Sequence, residues 1–227
     1  MLTIGYSLGK KGQMQPPAPL RFLALGDSYT VGEGIFPEES WPYLLAQRLT
    51  SSGFPCNPPE IIAKTGWSSD ELLAAVEAAN PQGPYDIVTI MIGVNNQYRG
   101  RHRETIIDDL LRLVAIALAL AGGKPERVYT ISIPDWGCSP FGQTKNPRLI
   151  RRQIDAYNKV ISVETRRRVS AFIDVTKLSR LATRVPQFNA ADHLHPSGAM
   201  HHLWMERIAE SVLFDLRWVD PTTSEAT

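Results

Sequence analysis

Two groups of residues in this 227-residue chain have the types and spacing for acyl transfer. Near the C-terminus, Asp192 and His195 stand three positions apart in Asp192-His193-Leu194-His195-Pro196. In a tight turn, that spacing brings a carboxylate to one imidazole nitrogen and leaves the other facing outward. Near the N-terminus, Ser28 follows Gly26-Asp27 directly after an apolar run. A serine hydroxyl is a poor nucleophile until a base takes its proton, and the base needs an acceptor to orient it. Histidine suits that task because its ordinary pKa is about 6.5. The oxyanion that develops on an attacked carbonyl needs donors. Asn95, in Gly93-Val94-Asn95-Asn96, offers a side-chain amide. Gly66, in Thr65-Gly66-Trp67, has no Cβ, so its backbone N–H can approach a substrate oxygen closely. Each block alone has a plainer reading: Ser28 as a helix N-cap, Gly66 and Asn95 as turn residues, and Asp192 with His195 as a loop pair. Their combination carries the chemistry.

A competing constellation lies in the same region. His193, His195, His201 and His202 place four of the five histidines within ten residues, close to Asp192. A metal site would use such residues. However, His201 and His202 project differently on a helix, and no second cluster of Cys, His or Glu joins them, so no metal is assigned. Trp67, Tyr98 and Trp136 are candidates to bind substrate, by stacking on a sugar or an acyl chain. The plainer readings are loop packing for the tryptophans and a solvated loop for Tyr98 and Arg99.

The elements that would position these residues alternate in type. Leu20–Leu25, Glu60–Lys64, Asp86–Ile92, Arg127–Ile133 and Ala171–Val175 read as strands. Trp41–Thr50, Ser69–Ala79, Glu104–Ala121, Leu149–Val169 and Ser197–Leu216 read as helices. Ser40 is a plausible N-cap for the first. Residues 134–147 are an irregular stretch rich in Pro, Gly, Ser and Asn, long enough to form a wall of a site. The alternation predicts an α/β fold with a parallel sheet and helices on both faces. In such sheets ligands bind beyond the carboxyl ends of the strands. Ser28, Gly66, Asn95 and the Asp192–His195 pair all follow strands.

Composition sets the outer bounds. The chain is 43% hydrophobic and 21% charged, enough apolar material for a full core. Its 24 basic and 23 acidic residues leave a net charge of +1, so nucleic acid is not an expected partner. Cys56 and Cys138 read as free thiols rather than a disulfide framework. Lys10 and Lys11 follow the mildly apolar N-terminal stretch, the wrong order for a secretory signal. The longest apolar run, Leu113–Ala121, is too short to span a bilayer. A cytoplasmic protein without integral membrane association is expected, and the oligomeric state is not legible. Residues 1–18 are expected to be a flexible arm and 220–227 a polar tail, flanking one domain over 19–219. The sequence lacks Gly-x-Ser-x-Gly, a P-loop and Gly-x-Gly-x-x-Gly, so a nucleophile elbow and the common nucleotide sites are not expected.

Taken together, Gly26-Asp27-Ser28-Tyr29-Thr30-Val31-Gly32, the Gly66 block, Gly93-Val94-Asn95-Asn96 and Asp192-His193-Leu194-His195-Pro196 resemble the SGNH hydrolase (GDSL esterase/lipase) family. Trp41-Pro42 and Ile133-Pro134 are also similar to that family, and the resemblance spans about 20–217. It implies a flavodoxin-like three-layer α/β/α sandwich with a five-stranded parallel sheet. It implies Ser28 as nucleophile, His195 as general base and acid, and Asp192 as the residue orienting His195. It implies an oxyanion hole made by the Ser28 and Gly66 N–H groups and the Asn95 amide, with no metal or organic cofactor. Tyr29 stands where the family has Leu, and Asn96 where Asp is common, which bears on a supporting contact. The expected substrate is a small or polar ester: a short-chain acyl ester, a lysophospholipid or an O-acetylated carbohydrate. A catalytically silent carbohydrate- or lipid-binding domain and an acyltransferase using the same triad are the alternatives.

Overall fold

A computed structural model describes residues 18–219. The expected arm, apart from Ala18, and the expected tail lie outside the described residues. Five strands form one parallel sheet: β1 (Phe22–Gly26), β2 (Glu60–Ala63), β3 (Ile87–Met91), β4 (Val128–Ile131) and β5 (Ala171–Ile173). Their spatial order is β2-β1-β3-β4-β5. The inner strands β1, β3 and β4 are buried at every position, which is why they read as near-continuous apolar runs. The outer strands β2 and β5 are partly exposed.

The helices are α1 (Ser28–Val31), α2 (Trp41–Ser51), α3 (Ser69–Ala79), α4 (Val94–Tyr98), α5 (Ile107–Leu120), α6 (Pro140–Gln143), α7 (Pro147–Thr165), α8 (Thr176–Ser179) and α9 (Gly198–Val219). The chain steps from β1 outward to β2, then back past β1 to β3, β4 and β5. Right-handed crossovers in opposite directions place their helices on opposite faces. Accordingly α2 packs with α9, while α5 packs between α3 and α7. The expected three layers result. Among the described residues, no helix is long and apolar enough to cross a membrane.

The α2–α9 layer buries Trp41 and Trp204 completely. Burial of an indole is worth roughly several kcal/mol, so this contact anchors the helix that follows His195. His201 adds a polar lock. Its Nδ1 accepts the Trp41 backbone N–H at 3.2 Å, satisfying one donor that the start of α2 would leave unpaired.

Three element boundaries differ from expectation. Residues Arg103–Ile106 form a 3₁₀ turn, and the α-helix begins at Ile107. Helix α7 starts earlier than expected, because Pro147 occupies its first turn and Asn146 Oδ1 caps the Leu149 N–H. The irregular 134–147 stretch holds a 3₁₀ turn at Trp136–Cys138 and the short helix α6. Its Phe141 N–H donates to the His193 carbonyl at 2.9 Å, docking the stretch onto the segment that carries Asp192 and His195. Cys56 and Cys138 are both free thiols.

Candidate active site

Strand order decides which loops meet. Gly26 at the end of β1 is level with Ala63 of β2 and with Met91 of β3. The loop bearing Ser28 therefore emerges between the loop bearing Gly66 and the loop bearing Asn95. In the order 2-1-3-4-5, the crossovers reverse direction between β1 and β3, which opens a crevice beyond their carboxyl ends.

Ser28 is the first residue of α1 rather than its cap. The cap is Asp27, whose Oδ1 accepts the Tyr29 N–H at 3.0 Å. This replaces the reading of Ser28 as an N-cap and leaves its hydroxyl unspent on capping. The turn is tight: a Cβ on Gly26 would lie 2.0 Å from Thr30 Oγ1 and 2.8 Å from the Met91 carbonyl oxygen. Only glycine fits there. Asp27 is fully buried, and its Oδ2 has no partner among the described residues. Burial lifts its pKa to about 7, against the lowering effect of the Tyr29 N–H.

The Asp192–His195 side is built by one turn. Asp192 Oδ1 accepts the backbone N–H groups of Leu194 and His195, each at 2.9 Å. Its Oδ2 lies 2.6 Å from His195 Nδ1. Partial burial pushes Asp192 upward, but these hydrogen bonds outweigh it and hold the carboxyl below its ordinary range. An ionised carboxylate only accepts, so Nδ1 carries the proton and Nε2 is left as the basic nitrogen. The Tyr29 ring, next to Ser28, meets the His195 ring edge-on, with centroids 5.8 Å apart. This contact brings the Ser28 turn and the Asp192–His195 turn together. His193 is exposed, His201 is fully buried and His202 is exposed. Among the described residues, no three His, Cys, Asp or Glu side chains form a group that could hold a metal ion.

The donor side is held by α4. Asn95 Nδ2 donates to the Trp67 carbonyl at 2.9 Å. That bond identifies the nitrogen end of the amide and leaves its second N–H for a ligand. Gly66 has φ +88°, a backbone conformation that favours glycine, with nothing within 4 Å of where a Cβ would stand. Asn96 supports the arrangement from beneath. Its Oδ1 accepts the Ser69 N–H at 3.0 Å and its Nδ2 donates to Ser69 Oγ at 2.8 Å. The Ser69 hydroxyl proton is committed to Asp109 at 2.7 Å. Here an amide is required, because an ionised carboxylate could not donate to Ser69.

The three aromatic candidates fall in different settings. Trp67 is half-buried. Trp136 is 8% exposed and donates its indole N–H to Gln97 at 2.7 Å. One edge contact covers it from Tyr98, whose ring centroid is 5.2 Å away, and Phe141 lies on another side. Tyr98 is the exposed member, at 55%. Tyr29, Trp136, Leu194 and Trp204 line a half-open cleft with a cavity volume of about 20 Å³, about enough for one water molecule. Sequence reasoning did not single out Asp27, Gln97 or the capping role of His201. Gln97 and His201 bond partners distant in the chain, which no local pattern announces, whereas Asp27 caps the Tyr29 N–H two residues on, a local signal that an Asp before a helix start carries.

Solved structures with the same fold cover nearly the whole chain. The structure of TesA aligns with a TM-score of 0.67 at 20% identity, covering 86% of this chain and 99% of TesA. The psychrotrophic esterase EstA from Pseudoalteromonas sp., inhibited by monoethylphosphonate, aligns with a TM-score of 0.64 at 18% identity, covering 87% and 98%. A two-domain esterase (CEX) active on acetylated mannans aligns with a TM-score of 0.59 at 18% identity, covering 87% of this chain and 50% of that one. No curated protein sequence matches the chain. The model of the GDSL-like lipase/acylhydrolase family matches residues 24–203, so the chain belongs to that family and, with it, to the carboxylic ester hydrolases.

Proposed function

We propose that the protein hydrolyses a small or polar carboxylic ester through an acyl-enzyme on Ser28. One observation carries this reading. The strand order sets the Ser28 turn between Gly66 and Asn95, while Tyr29 joins that turn to an Asp192–His195 pair already in the orientation a base needs. Ser28 Oγ attacks the ester carbonyl carbon as its proton passes to His195 Nε2. The resulting oxyanion is met by the N–H groups of Ser28 and Gly66 and by the free N–H of Asn95. The tetrahedral species expels the alcohol, which takes the proton from His195. Water then attacks the acyl-enzyme, giving up a proton to His195, and collapse releases the acid and restores Ser28. Asp192 stays ionised throughout and stabilises the imidazolium that forms in each half-reaction.

The acyl side of the substrate is short in this reading. Trp67 and the exposed Tyr98 offer the aromatic side on which a sugar ring or short chain rests, and Trp136 backs Tyr98 from within. The similarity to an esterase active on acetylated mannans is consistent with an O-acetylated carbohydrate. The test is hydrolysis of p-nitrophenyl esters from acetate to palmitate by wild type and Ser28→Ala. Activity greatest on the short esters and lost in Ser28→Ala is expected. A mutant as active as wild type would remove Ser28 from the mechanism, and a preference for palmitate would overturn the small-substrate assignment.

A further inference from the structure

Arg99 sits at the end of α4, where sequence alone suggests a solvated loop. Its guanidinium instead reaches across the crevice. Nη2 donates to the Gly66 carbonyl at 2.8 Å, and Nη1 donates to Ser68 Oγ at 3.1 Å. Glu71 Oε2 lies 3.0 Å from Nη1 and accepts the Ser68 N–H at 2.8 Å. Asn95 and Arg99 stand four residues apart, on the same face of one helical turn. The two side chains therefore grip consecutive carbonyls, Trp67 by Asn95 and Gly66 by Arg99. On the other flank, the Thr65 hydroxyl donates to Glu33, whose backbone N–H bonds the Ser28 carbonyl at 3.0 Å. Gly66 is thus strung between an anchor on the nucleophile loop and an anchor on α4. A glycine with φ +88° and no neighbour where a Cβ would stand has wide freedom to swing.

We infer that Arg99 is a positioning residue for the oxyanion hole: by holding the carbonyl of the Gly66–Trp67 peptide it restricts the Gly66 torsions from one side, and so steadies the neighbouring Thr65–Gly66 peptide, whose N–H faces the developing negative charge. This rests on the reading of Gly66 as an oxyanion donor. The ion pair to Glu71 is solvent-exposed on both sides, at 40% and 41%, and exposed pairs contribute little to stability. Loss of Arg99 should therefore reach activity without unfolding the protein.

The experiment compares wild type, Arg99→Ala, Arg99→Lys and Ser28→Ala on p-nitrophenyl acetate, with thermal unfolding and inhibition by phenylboronic acid measured in parallel. The boronate forms a tetrahedral adduct on a serine and so reports on the hole without turnover. Arg99→Ala is expected to lower kcat roughly 10- to 100-fold with KM within about twofold, the scale for a displaced oxyanion donor. The boronate inhibition constant should rise in parallel, the unfolding midpoint should stay near wild type, and Arg99→Lys should fall between. A kcat and inhibition constant at wild-type level in Arg99→Ala, with Ser28→Ala inactive, overturn this inference and leave the Ser28 mechanism standing. If Arg99→Ala unfolds, wild-type kcat and boronate inhibition in Arg99→Lys have the same meaning. An active Ser28→Ala overturns both.

Discussion

Asp192 binds His195 twice: Oδ2 lies 2.6 Å from the ring Nδ1, and Oδ1 accepts the His195 backbone N–H at 2.9 Å. One carboxylate therefore fixes both the main chain and the ring of the same residue. The ring orientation, the tautomer and the turn are a single unit, and a change at Asp192 acts on all three.

Asp192→Asn keeps the size of the side chain but offers an amide. If its nitrogen faces Nδ1, the ring must carry its proton on Nε2, the wrong tautomer for a base. A loss of roughly 10³- to 10⁴-fold in kcat is expected, by analogy with the same change in other serine hydrolase triads. Steady-state kinetics on a short-chain ester will check it. Activity within threefold of wild type would show that Asp192 does not orient the base.

Asn96→Asp probes the support beneath the donor side. Asn96 Nδ2 donates to Ser69 Oγ, whose own proton is given to Asp109. An ionised Asp at position 96 would face that oxygen with no proton between them, at a site 1% exposed. Urea unfolding at neutral pH should register a loss of about 1–3 kcal/mol, the cost of an unmatched buried polar contact. The loss should shrink as the pH falls and the new carboxyl acquires a proton. An unchanged unfolding midpoint would mean that the Ser69 hydroxyl turns freely between the two carboxylates.

His201 supplies a pH dependence. Burial, and secondarily the nearby His195, press its pKa from 6.5 down to about 3. Between those values the unfolded chain binds the proton and the folded chain does not. Stability conferred by neutral His201 is therefore complete above about pH 6.5 and drains away as the pH falls toward 3. Protonation would also cost the acceptor for the Trp41 N–H. His201→Asn keeps an acceptor near Nδ1 and does not titrate. Unfolding midpoints recorded from pH 4 to 7 should fall less steeply in the variant than in wild type. Parallel curves would show that His201 is not the group responsible.

The local features of this protein were legible because they depend on near neighbours. The buried strands read as apolar runs, and the span of α3 was readable end to end from its spacing of Leu72, Leu73 and Val76. The residues around Ser28, Asn95 and His195 stood out because each follows a strand, and a parallel sheet brings all strand ends to one edge. Boundaries shifted where a cap or a 3₁₀ turn, at Asn146 and at Arg103–Ile106, prevailed over the wider pattern.

Tertiary structure decided which residues share a neighbour. Gly66 and Asn95 are 29 positions apart, and only the insertion of β1 between β2 and β3 sets Ser28 between their loops. Arg99 reads as a solvent-facing residue until α4 lies against the Gly66 turn, and Ser69 has no reason to prefer Asn at position 96 until Asp109 takes its proton. Trp136, which by sequence could either stack on substrate or pack in its loop, is packed because Tyr98 and Phe141 close on it. Hydrophobic periodicity is a local property, whereas hydrogen-bond partners are chosen by proximity in space. A single sequence displays the first directly and acquires the second only when it folds.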